Sequence, residues 1–219
     1  MNGMYWYVSH QKIEALRDRY DHSPRNWFEK ISVTIKAPFV EAQAAMALDQ
    51  TLFKEVERIE KRLLESGEVP EFTNIAKAQP TAFFLFNGTA HRTIEHGGYW
   101  IAMVSGSTAL LLGGSASNVI GAPPKETAEI SPSMNPIGSF NSVADQMTEG
   151  NRSSISETCS YVWVAIAEPV RDGWVGLPRV EGIAVYGGRF PASKTRMQRS
   201  GFEGVQEIIV GSPIFVRQL

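Results

Sequence analysis

Hydrophobic and polar positions alternate in several short runs, and that alternation predicts strands. Residues 4–9 (MYWYVS) form an aromatic and β-branched run, and residues 31–37 alternate through Ile31, Val33 and Ile35. Residues 81–88 (TAFFLFNG) are apolar enough for a buried strand, and two more strands are expected at 99–104 and 108–112, turning at Ser105-Gly106-Ser107. Gly97-Gly98 between two β-type runs signals a hairpin, so residues 81–112 read as an antiparallel meander. Residues 158–167 (TCSYVWVAIA) read as another buried strand, ended by Pro169. Residues 179–186 read as strand or helix and close at Gly187-Gly188. The segments 208–210 and 214–216 are strand-like, broken by Gly211-Ser212-Pro213.

A helical period takes over elsewhere. Ile13, Leu16 and Tyr20 share one helix face over residues 10–20, with Ser9 in the N-cap position. Leu52, Val56, Ile59 and Leu63 form an apolar stripe over 51–66, where Glu57 and Lys61 are an i, i+4 pair and Gly67 is a stop. Together these elements predict an α+β fold: a mixed, mainly antiparallel sheet with two or more helices packed on one face. Residues 121–150 hold four of the twelve prolines and little periodicity. The organisation expected is a single domain over 1–219 with a long loop or lid at about 121–150.

Composition narrows the function classes. The chain has 219 residues, 43% hydrophobic and 20% charged, enough to bury a core. A net charge of -2 argues against general nucleic-acid binding, which phosphate neutralisation drives. The single cysteine, Cys159, excludes an internal disulfide and a cysteine-rich metal site. No signal peptide or membrane-spanning stretch is visible, so a cytoplasmic setting is expected.

The chemistry centres on two strand exits. Residues 99–121 are the most apolar and glycine-rich stretch, and they leave a strand into Gly113, Gly114, Ser115, Ser117 and Asn118. Glycine permits close backbone approach, and loop N–H groups with serine hydroxyls can cradle an anion. The pattern is neither a dinucleotide fingerprint nor a phosphate-binding P-loop. Ser9 and Lys12 at a helix start offer a second anion-friendly exit. If the two strands lie side by side, those exits converge on one ligand-binding site. His10 and His91 are the candidate acid or base groups. His91, Glu95 and His96 lack zinc-motif spacing, so no metal site is expected. The leading function is a sensor-like domain binding an anionic small molecule, possibly a nucleotide. The alternatives are a phosphoester or nucleotide hydrolase, and a structural or homo-oligomeric interaction protein. The sequence names no cofactor.

Three segments, MYWYVSHQKIEAL, ALLLGGSASNVIGAP and VQEIIVGSPIFVRQL, together resemble the landmarks of an uncharacterised bacterial family, a domain of unknown function. That family shares a strand–Ser–x–x–Lys–helix start, a central Leu-Gly-Gly-Ser loop and a terminal Gly-Ser/Thr-Pro strand. The resemblance implies a cytosolic bacterial protein and carries over no catalytic residue. Residues 151–200 read as more strand-rich than the family pattern, which implies more helix there.

Overall fold

The computed structural model describes residues 4–21, 50–67, 69–75, 83–95, 98–120, 154–171, 173–174 and 176–219. The strand expected at 31–37 and the loop or lid expected at about 121–150 lie outside them. In chain order the elements are β1 (Met4–Val8), α1 (His10–Asp21), α2 (Gln50–Glu65), β2 (Phe83–Glu95), β3 (Gly98–Ser105), β4 (Thr108–Ser115), α3 (Ile155–Ala167), β5 (Arg179–Pro191), α4 (Lys194–Arg199) and β6 (Glu207–Gln218).

The fold is α+β, but the sheet is not open. β2, β3 and β4 form the expected antiparallel meander, and β4 then runs parallel to β6. β5 pairs antiparallel with β2 through its first half and with β6 along nearly its whole length. The order β6-β4-β3-β2-β5 therefore returns to β6, giving a closed five-stranded barrel, with β1 added antiparallel on β6. Closure removes the exposed edges that a five-stranded open sheet would carry. β5 continues through Gly187-Gly188, where the chain was expected to close, because a bulge between Tyr186 and Gly188 absorbs the irregularity.

Strand alternation sorts the side chains into a barrel interior and two outer layers. Inside lie Tyr7, Phe84, Phe86, Tyr99, Ile101, Met103, Leu110, Leu112, Ile209 and Val216. Their neighbours Trp100, Ala102, Ala109, Leu111, Ile208 and Val210 face outward and meet α3 and Met197 of α4. On another part of the outer surface, Val8, Phe83, Ile183, Ile214 and Phe215 meet α1 and α2 through Ile13, Leu16, Val56, Ile59 and Leu63. The helices thus cover two sides of a ring rather than one face of a sheet.

Residues 158–167 are helical, not a strand. Ser154 caps α3, its Oγ accepting the Glu157 N–H at 3.2 Å. Ser-x-x-Glu is a helix-start signature. Cys159, Val162, Trp163 and Ile166 fall three and four apart, and all are buried against the barrel. The remaining positions are apolar enough to hide that period, so the run looks like a buried strand.

Candidate functional site

β6 changes partner midway along one edge. It pairs with β4 from Glu207 to Gly211 and with β1 from Phe215 to Gln218. Ser212, Pro213 and Ile214 lie between, and the start of α1 closes that gap. Proline brings no N–H to the edge. Its carbonyl accepts Lys12 Nζ at 2.8 Å, Ser212 Oγ accepts the same amine at 2.5 Å, and the Ile214 carbonyl accepts the Ser9 N–H at 2.8 Å. Lys12 is 1% exposed, and burial pulls its amine down to about 7. The Ser-x-x-Lys spacing therefore forms a clasp on β6, through the serine backbone and the lysine side chain.

The second expected exit lies beside the first. Tyr7 bridges Val119, and the Ile120 N–H donates to the Trp6 carbonyl at 2.9 Å. Gly113 and Gly114 belong to β4, paired with Trp100 and Tyr99. The hydroxyls of Ser115 and Ser117 bond each other at 2.7 Å, and Asn118 Nδ2 donates to Tyr7 Oη at 3.2 Å. Burial pushes the Tyr7 phenol up to about 12, despite the bond from Asn118. Ser9 Oγ sits beside that phenol without closing a hydrogen bond of proper geometry. The structure thus gathers Ser9, Ser115, Ser117 and Asn118 around Tyr7, while Lys12 turns to β6. Ser9, Lys12 and Ser115 are buried.

An open concavity lies at another place, beside Trp6. It measures 480 Å³ and is lined by Trp6, Ala90, His91, Arg92, Gly176, Leu177, Pro178 and Gln218. β1, β2, the turn before β5 and the end of β6 each contribute. The Arg92 guanidinium carbon lies 3.7 Å from the centroid of the Trp6 ring, a cation–π contact. Trp6 Nε1 donates to Gln218 Oε1 at 3.1 Å, which fixes the amide. Burial lowers the His91 imidazole below its ordinary value, against a smaller upward pull from Glu95, so His91 is neutral at pH 7. Tyr99 Oη lies beside Arg92, buried and without a well-formed hydrogen bond. Among the described residues no Asp or Glu lines the pocket.

Of the two histidines singled out by sequence, His91 lines this pocket, whereas His10 opens α1 and does not. Trp6, Arg92 and Gln218 escape sequence reasoning because four separate segments assemble the pocket, and no local motif marks them. Among the described residues no group of three His, Cys, Asp or Glu side chains is placed to hold a metal, and no helix is long and apolar enough to cross a membrane.

A closed five-stranded β-barrel, clad in helices and dished at the end of β1, is the class of protein these elements define. The chain belongs to a family of unknown function, DUF7019, which it matches over residues 4–219. No curated protein and no solved structure matches it.

Proposed function

We propose that the protein binds a small anionic molecule in the pocket beside Trp6. One observation carries the reading: a guanidinium laid on an indole at the wall of a pocket that, among the described residues, no carboxylate lines. Arginine so placed recognises planar anions. The volume of 480 Å³ falls within the range of roughly 300–1,000 Å³ common to ligand sites. We place the ligand here rather than at Ser9, Lys12 and residues 113–118, whose polar groups are mostly buried or bonded to one another. A cytoplasmic bacterial setting is part of the same proposal.

His91 supports a second reading. His91 is a lining residue, and its imidazole, held below its ordinary value by burial, can take a proton as a phosphoester hydrolase would need. The two readings separate by experiment. Binding predicts a concentration-dependent rise in melting temperature with some member of an anion panel, lost in Arg92→Met. A panel that leaves the wild-type melting temperature unchanged removes the binding reading. Hydrolysis predicts turnover of a phosphoester that disappears in His91→Ala, and turnover equal in both proteins removes it.

A further inference from the structure

We infer that the ligand of the Trp6 pocket is a monocarboxylate with a flat apolar body, not a nucleotide or another phosphate. The inference rests on the binding reading above and concerns the chemistry of that same pocket. Among the described lining residues Arg92 is the single permanent cation. A separation of 3.7 Å between its central carbon and the ring centroid suits a guanidinium stacked on the indole, since a strictly edge-on approach would press its nitrogens against the ring. A flat guanidinium keeps its N–H groups in one plane, pointing edgewise. That fork matches the two oxygens of a carboxylate lying in the same plane, and so parallel to Trp6.

The other polar groups agree with a single negative charge. His91 is neutral, and the Glu95 carboxylate is close enough to act on it. A second negative charge in the pocket would find no second permanent cation among the described lining residues to offset it. Trp6 occupies the Gln218 carbonyl oxygen, which leaves the amide NH₂ as the free donor. Tyr99 Oη is buried beside Arg92 and flanks the guanidinium from the barrel side. Ala90, Leu177 and Pro178 supply the apolar wall for the body of the ligand.

Isothermal titration of the full chain tests this with benzoate and indole-3-acetate, the neutral isostere benzamide, inorganic phosphate and AMP. The expected result is binding of at least one aryl carboxylate, with benzamide, phosphate and AMP each at least about tenfold weaker. Arg92→Lys should weaken the carboxylate by about tenfold although the charge is kept, because an ammonium has no planar fork. Comparison of the probes on wild-type protein alone decides the matter even if a variant is poorly folded. Phosphate or AMP binding more tightly than both carboxylates, and lost in Arg92→Met, overturns the monocarboxylate and leaves the anion-binding reading standing. No Arg92-dependent binding of any of these probes overturns both.

Discussion

Gly114 shows how a single missing side chain shapes the interior. It faces inward opposite Tyr99, and a Cβ built there would strike the Tyr7 hydroxyl. The Tyr7 ring stacks on Tyr99 at 5.2 Å in the space so freed. Gly211 does the same for Phe84, whose Cζ would lie 2.7 Å from an added Cβ. Both contacts are with rigid rings, so the core cannot yield cheaply. Gly114→Ala should therefore destabilise the protein by about 1–3 kcal/mol, the usual range for overpacking. Urea denaturation checks it, and adding Tyr7→Phe should recover part of the loss because the two sites are in contact. A Gly114→Ala protein as stable as wild type would refute this packing account. From sequence alone the same glycine reads as part of a ligand loop, because the ring that needs its space comes from a distant strand.

At the scale of elements, legibility follows the clarity of the period. The β2–β4 meander shows in the sequence because its inward and outward residues alternate and its turns carry glycine or serine. α2 shows because its outer face is charged. α3 misleads because Thr158, Cys159, Ser160, Val162, Trp163, Val164, Ile166 and Ala167 are all buried, leaving only its Ser154–Glu157 cap as a local sign of helix. That cap has a measurable weight. Ser154→Ala should lower stability by about 1 kcal/mol, and Ser154→Asp should keep most of it, since aspartate caps equally well. The melting temperatures of the two variants check this, and equal losses in both would show that the cap contributes nothing. The pocket has no comparable local sign: His91 and Arg92 are adjacent, but Trp6, Pro178 and Gln218 reach them only through strand pairing.

Across the whole molecule, buried titratable groups set a pH response of definite sign. Lys12 sits at about 7 in the folded chain, against an ordinary 10.5. Between those values the unfolded chain holds a proton that the folded chain lacks, so stability rises with pH. Cys159 is pushed from 9.0 to about 12, and Tyr7 and Tyr99 from 10.0 to about 12, all by burial. There the unfolded chain loses its proton first, so these groups reverse the slope above about pH 9. Between about pH 7 and 8.5, unfolding free energy should climb by roughly 1 kcal/mol per unit. Lys12→Met should remove that climb while keeping the length of the side chain. Equal slopes in urea titrations of the two proteins would rule out the amine as its source.

β6 borders β5, β4 and β1, and this has a consequence in time. Residues 207–218 follow every strand they border, so the ribosome makes β6 last of the six. Until they emerge, β2, β3, β4 and β5 can pair with one another only as an open sheet, and β1 lacks the strand it pairs with. Loop-closure entropy also makes such distant pairings slow. The interval between synthesis of β5 and arrival of β6 is therefore the period in which the growing chain exposes its strand edges to association with other chains.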